Sequence, residues 1–232
     1  MSELRRIPEL SVTFPVLNEQ EVLPSVLDEA FEVLPAVADR WELVVVDDGS
    51  TDATPDILRE AANTEGRLRI VTHPQPMGYG ASVRDGLAAT TLMVVLMTDG
   101  DGQFDLRDAI DLFPLLQRHH LAVGYRFPRH DPWGRRAGSK VYNAMASWVL
   151  GRRIRDVNCS MKLMRRSVLE MVELASNDWL IDAELLAAAR RADLDWGELP
   201  VSHRSRPGGE SKVRPADFAR GLRGLWTLRR LR

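Results

Sequence analysis

The sequence predicts an α/β domain built on a doubly wound, mostly parallel sheet, and three observations predict it. Segments of strand character alternate with segments of helical periodicity along the chain. Two strand segments, Trp41–Val46 and Leu92–Thr98, are near-continuous apolar runs, the pattern of strands buried on both faces. Polar and acidic residues stand where strands end, the edge at which open parallel sheets bind ligands.

Leu10–Phe14 is the first strand and ends at Pro15. Asn18 and Glu19 then lead into a helix whose apolar positions are Val22, Val26, Phe31 and Leu34, closing near Pro35. Trp41–Val46 is the second strand and enters Asp47-Asp48-Gly49-Ser50-Thr51-Asp52. Arg67–Thr72 is the third, followed by Gly78-Tyr79-Gly80, which opens a helix to about Ala89. Leu92–Thr98 is the fourth and central strand, entering Asp99-Gly100-Asp101-Gly102-Gln103. A further helix begins near Leu106, with Asp105 in position to cap it, and ends at His119-His120.

A chain of 232 residues can bury a core without disulfides, and its single cysteine, Cys159, excludes an internal one. Cys159 reads as a small packing residue. The first residues carry no apolar signal core and no stretch is long enough to span a bilayer, so a cytoplasmic protein is expected, peripheral on a membrane face at most. A net charge of −2 gives no global basic field, and no nucleic acid is expected as a partner. The cations are lopsided: Lys140, Lys162 and Lys212 are the only lysines among 31 basic residues. Arginine suits forked recognition of phosphate.

Asp99 and Asp101 stand at i and i+2 after a strand, with Gln103 at i+4, so alternation sends all three toward one side. Oxygen ligands on a tight turn suit a hard cation that completes its shell with phosphate oxygens. An EF-hand fails, because Phe104 and Ile110 occupy the positions that need glycine and glutamate. Gly78-x-Gly80 is part of a dinucleotide fingerprint, but Val83 fills its third glycine position and it follows the wrong strand. These two glycines either make a helix-start turn or let backbone amides approach a ligand.

These residues resemble glycosyltransferase family 2, with its GT-A fold. The matching segments are Phe14-Pro15-Val16-Leu17-Asn18-Glu19, Val44–Ser50, Gly78–Ser82 and Asp99–Gln103. The second half is similar to the polyprenyl-phosphate sugar synthases of dolichyl-phosphate mannose or glucose type. There Gly124-Tyr125-Arg126, Arg135-Arg136-x-x-Ser139-x-x-x-Asn143, Asp156-x-x-Cys159-x-x-Lys162 and Arg206-x-x-Gly209-Glu210-Ser211-Lys212 match. Ser160-Met161 departs from the Gly-Phe common in that family.

The resemblance implies one glycosyltransferase domain over 1–232, with a nucleotide-sugar-binding half at 10–125, an acceptor half at 126–212 and a basic amphipathic segment at 213–232. It implies that Asp47 meets the nucleobase, that Pro15, Asn18 and Glu19 line the nucleoside pocket, and that Asp48, Gly78, Gly80 and Gly100 help form the donor site. Asp99, Asp101 and Gln103 are expected to hold Mg2+ or Mn2+ against a UDP- or GDP-sugar. Arg126, Arg135, Arg206 and Lys212 are expected to gather phosphate charge as part of the catalytic set. The implied reaction inverts the anomeric carbon and moves the sugar to a polyprenyl phosphate. A soluble hydroxyl acceptor is the alternative and requires a base, for which Asp182 and Glu184 are candidates, although both also suit a helix start. A haloacid-dehalogenase-like phosphatase with Asp99 as nucleophile is the rival of another class, and it leaves Asp47-Asp48 unexplained. On the last segment, Phe218, Leu222, Leu225 and Trp226 share a helical face beside Arg220, Arg223, Arg229 and Arg230. That face is expected to meet a membrane, the core or a second subunit in a homodimer.

Overall fold

Strands β1 (Ile7–Val16), β2 (Ala38–Asp47), β3 (Leu68–Thr72), β4 (Val94–Met97), β5 (Leu121–Arg126), β6 (Lys162–Arg165) and β7 (Trp196–Val201) form one sheet in the order β3-β2-β1-β4-β6-β5-β7. The computed structural model of the chain describes residues 6–128, 133–205, 208 and 215–230, and within these no side chain of 133–137, 215–219 or 229–230. β4 lies in the middle of the sheet and all four of its residues are buried, as its apolar run predicts. β1 pairs in parallel with β2 and β4, and β2 with β3. β6 is antiparallel to both β4 and β5, while β7 runs parallel to β5.

The reversed strand is the one departure from the parallel pattern. Lys162 of β6 pairs with Met97 and Arg165 with Val94, so β6 starts at the carboxyl edge of β4 and runs down it. The segment 151–161 brings the chain back to that edge after α5 (Trp133–Leu150) before the strand begins. Hydrophobic periodicity alone carries no sign for this direction.

The remaining helices are α1 (Leu23–Val37), α2 (Thr54–Thr64), α3 (Tyr79–Ala89), α4 (Asp108–Leu112), α6 (Arg166–Met171), α7 (Ile181–Arg191) and α8 (Pro215–Arg230). Alternation along β4 feeds two cores: Val94 and Leu96 join Phe14, Leu23, Leu34 and Leu163 on one face. Val95 and Met97 join Val83, Leu87, Ile181, Leu185 and Trp196 on the other.

Boundaries shift where single residues override periodicity. β1 continues through Pro15, which pairs with Val46 one residue before the strand ends and so removes one donor at its margin. Asn18 has a left-handed backbone (φ 50°), so α1 starts later than the apolar period suggests, with Pro24 in its first turn. The same helix carries Pro35 inside its last turn and ends at Val37.

Candidate functional site

The carboxyl ends of β1, β2 and β4 lie side by side, and the three polar segments read from the sequence meet there. Two of them are stitched together by the backbone. Asn18 N–H donates to Ser50 Oγ (2.9 Å), Thr51 N–H to Asn18 Oδ1 (2.8 Å), and Glu19 N–H to Thr54 Oγ1 (2.9 Å). Gln20 N–H donates to Asp52 Oδ2 at 3.2 Å. Asp47 is buried at the end of β2 and accepts the N–H of Ser50 at 3.0 Å.

The turn after β4 lies against β1. A Cβ on Gly100 would stand 2.6 Å from Phe14 Cδ2 and 2.9 Å from the Pro15 carbonyl oxygen, so only glycine permits this approach. Asp101 Oδ1 accepts the N–H of Gln103 (3.1 Å), a local bond that shapes the turn. Gln103 Nε2 donates to the carbonyl of Arg204 (3.1 Å) and Arg204 N–H returns a bond to the carbonyl of Gln103 (2.8 Å), tying the turn to the segment after β7. Asp99 Oδ1 accepts the hydroxyl of Tyr79 at 3.0 Å. Desolvation first, and then the negative charges of Asp182, Asp99 and Asp101, push the Tyr79 phenol well above its ordinary pKa of 10.0, so it remains a donor.

Asp48 sits behind this edge as an organiser. Its Oδ1 accepts the N–H of Met77 (2.7 Å) and lies 2.7 Å from His73 Nδ1, and its Oδ2 accepts the N–H of Gly78 (2.9 Å). His73, which precedes Pro74, is buried and bridges Asp48 to Asp85, 3.0 Å from its Nε2. Gly78 and Gly80 do not present their amides to a ligand. The N–H of Gly78 is taken by Asp48 and that of Gly80 by the carbonyl of Asn177 (3.0 Å). Gly78 has φ +102°, and a Cβ there would meet Asn177 O at 2.3 Å, so the pair serves close backbone packing against the segment before α7.

In the second half the motif residues mostly hold one another. Arg126, expected among the phosphate-gathering cations, closes its fork on Asp156 through Nε (2.7 Å) and Nη2 (2.8 Å), with the Asp156 side chain only 3% exposed. Asn143 fixes the neighbouring backbone, donating to the carbonyl of Arg155 (2.8 Å) and accepting the N–H of Val157 (3.0 Å). Lys162 is fully buried, bonded to the carbonyl of Cys159 and paired with Asp182. Burial raises the Asp182 carboxyl, the Lys162 charge opposes this, and Asp99 adds to the rise. Glu184 accepts the N–H groups of Ala175 and Ser176. Both carboxylates stand in the first turn of α7, as their sequence context suggests, and both are already engaged. Burial, then Asp156, pushes the Cys159 thiol up to about 12, which suits an inert packing residue. His203 is buried edge-on to Phe104. Arg206 and Lys212 lie outside the described residues, and Arg135 is described only as backbone at the start of α5.

Among the described residues no group of three or more His, Cys, Asp or Glu side chains gathers to hold an ion. Asp99, Asp101 and Gln103 form an all-oxygen set on one turn, the chemistry of a partial site whose remaining ligands are substrate phosphates. The donor set therefore fits Mg2+ or Mn2+. Sequence reading missed the roles of Tyr79 and His73 and the pairing of Lys162 with Asp182. Tyr79 had a signal in its place between two glycines that open a helix, and Lys162 in its place in the Asp156-x-x-Cys159-x-x-Lys162 motif.

The model of the family described as "Glycosyl transferase family 2" matches residues 11–172. The chain belongs to glycosyl transferase family 2. Among curated relatives it is 31% identical to dodecaprenyl-phosphate galacturonate synthase of Rhizobium johnstonii, over 88% of this chain and 61% of that one. It is 30% identical to undecaprenyl-phosphate 4-deoxy-4-formamido-L-arabinose transferase of Proteus mirabilis, over 91% and 65%. A dolichyl-phosphate beta-glucosyltransferase of Trichomonas vaginalis is 29% identical, over 89% and 69%. The chain thus spans under two thirds of the length of the first two. Glucosyl-3-phosphoglycerate synthase of Mycobacterium tuberculosis, solved with Mn2+ and UDP-glucose, superposes with a TM-score of 0.68 at 21% identity, covering 95% of this chain and 77% of that one. That likeness establishes the fold, which is the GT-A architecture expected of the family. The family assignment removes the haloacid-dehalogenase-like phosphatase. Among the described residues no helix is long and apolar enough to cross a membrane.

Proposed function

We propose that this family 2 chain transfers a sugar from a UDP- or GDP-sugar to a polyprenyl phosphate, with inversion at the anomeric carbon. The observation that carries the reading is the meeting of Asp47, Asp99 and Asp101 at one sheet edge, where the loops after β1 and β2 are cross-bonded. The relatives, named for dodecaprenyl, undecaprenyl and dolichyl phosphates, support the acceptor class. Asp47 meets the base, Pro15, Asn18 and Glu19 line the nucleoside, and Asp48 holds the 73–78 loop around it. Asp99 and Asp101, with Gln103, would hold Mg2+ or Mn2+, and that ion supplies charge neutralisation for the departing nucleoside diphosphate. Tyr79 keeps Asp99 turned toward the donor. Arg135, Arg206 and Lys212 remain the proposed partners of acceptor and donor phosphate, while Arg126 acts by positioning Asp156.

The state of the two candidate bases favours a phosphate acceptor. A hydroxyl nucleophile needs a general base within reach, and Asp182 is bound to Lys162 and Glu184 to two backbone amides. A phosphate monoester, with a second pKa near 6, is ionised at neutral pH and attacks without one.

Thermal-shift titration with UDP, GDP and their sugars, with and without Mn2+, followed by transfer to undecaprenyl phosphate, tests the proposal. Metal-dependent stabilisation by one nucleotide class is expected. Asp99→Asn and Asp101→Asn should each lower the transfer rate by about 10²–10³, by analogy with loss of one oxyanion donor. Wild-type turnover by both variants, or no nucleotide response with Mn2+ present, would overturn it.

A further inference from the structure

Helices α5 and α8 pack against each other along one flank of the molecule. The outward face of α5 carries Val141, Ala144 and Trp148 at i, i+3 and i+7, with Val141 58% and Trp148 50% exposed. Trp226 on α8 is 47% exposed and stacks on Trp148, ring centroids 5.7 Å apart and planes at 18°. Tyr142, Ala146, Val149, Leu225 and Leu228 fill the core beneath, so the outer residues are not required to close it. Lys140, Arg153, Arg220 and Arg223 are exposed on the same two helices and on the turn after α5. By composition α5 holds three cations and no carboxylate, and α8 four cations against Asp217, in a chain whose net charge is −2.

Charge selects the occupant of this face. A two-fold contact with a second copy would set the patch against itself and bring cations against cations. An anionic bilayer answers both halves of the surface. Its headgroups meet Lys and Arg, and its interfacial zone takes indole rings and the aliphatic stripe. We propose that α5 and α8 together form the face by which this protein lies on an anionic membrane, with Trp148 and Trp226 as its anchors. This deepens the lipid-phosphate reading and takes its purpose from it, because a soluble donor site then stays beside the leaflet that holds the acceptor.

Flotation of the full chain with phosphatidylcholine vesicles, with and without phosphatidylglycerol, tests the face. Binding is expected only with the anionic lipid and should fall as salt rises. Trp148→Ala with Trp226→Ala should lower partitioning at least about tenfold, whereas Met93→Ser with Met171→Ser, exposed elsewhere, should not. Arg220→Glu with Arg223→Glu should weaken binding by about fivefold or more per cation. Quenching of wild-type tryptophan fluorescence by brominated lipid needs no variant and is expected on anionic vesicles. Thermal unfolding and nucleotide–Mn2+ titration of the same proteins without lipid read the fold and donor site separately. Nucleotide binding without vesicle binding sinks this face and leaves the transfer reading standing; vesicle binding without nucleotide binding does the reverse. The face is also overturned if the tryptophan variant floats like wild type, or if sedimentation finds a dimer that this variant dissociates.

Discussion

The hydroxyl of Tyr79 donates to Asp99 and is kept protonated by burial first and then by the carboxylates near it, so it acts as a fixed support for the first residue of the turn. Supports of this kind orient a ligand before an ion arrives. Tyr79→Phe should retain the fold and weaken Mn2+ affinity by about 10–100-fold, read by Mn2+ titration of the nucleotide complex with the melting temperature as control. An unchanged Mn2+ constant would remove Tyr79 from the site. Lys162 makes a second residue-scale case. Lys162→Met leaves Asp182 buried without its partner, a loss of about 3–5 kcal/mol. Burial already raises the Asp182 carboxyl, and without Lys162 it protonates more readily still. The stability deficit should therefore be largest near neutral pH and shrink as pH falls, which urea unfolding at a series of pH values measures. The acidic turn was legible as the end of β4, because Asp-Gly pairs after an apolar run mark where a buried strand stops. The roles of Tyr79 and Lys162 were not, although both stand in the motif segments, because each acts through a partner, Asp99 or Asp182, brought in from 20 positions away.

Among the elements, β1 to β4 were legible in kind and order, since apolar runs and turn residues mark parallel strands directly. β6 was not, because its four residues sit between helices and its direction follows from where segment 151–161 ends. The opposite end of the sheet holds a contact that no motif signals. His119 Nδ1 lies 2.5 Å from Asp195 Oδ2 and His120 Nδ1 2.8 Å from Asp195 Oδ1, pinning the start of β5 to the start of β7. Partial desolvation raises the Asp195 carboxyl, but the hydrogen bonds from His119 and His120 outweigh it and hold the group at about 2, below the ordinary 3.8. The contribution is therefore complete above 3.8 and is lost as pH falls through about 2. The Asp195 side chain is 44% exposed, so solvent limits its worth to under about 1 kcal/mol. Asp195→Asn should lower the urea midpoint slightly at pH 5, and the gap to wild type should close on acidification across that window.

At the scale of the whole molecule, the proposed donor site and the proposed docking face lie in different places on one fold. The proposed donor site takes the carboxyl edge of β1, β2 and β4, while the α5–α8 flank borders the core on the other face. A ligand that binds only the folded state slows local opening where it adds contacts, so the two occupants should leave separable imprints on amide exchange. A nucleotide with Mn2+ should protect 47–52, 73–79 and 99–103, because Asp48 and Tyr79 couple the middle segment to the other two. Anionic vesicles should protect 140–149 and 220–228, with little change at the donor edge. Asp48→Asn weakens the clamp on Met77 and Gly78 and should selectively erase nucleotide protection of 73–79, leaving the vesicle imprint intact. Nucleotide protection centred on 119–120 and 195 instead would put the ligand at the wrong end of the strands and contradict the site, since those residues lie where β5 and β7 begin.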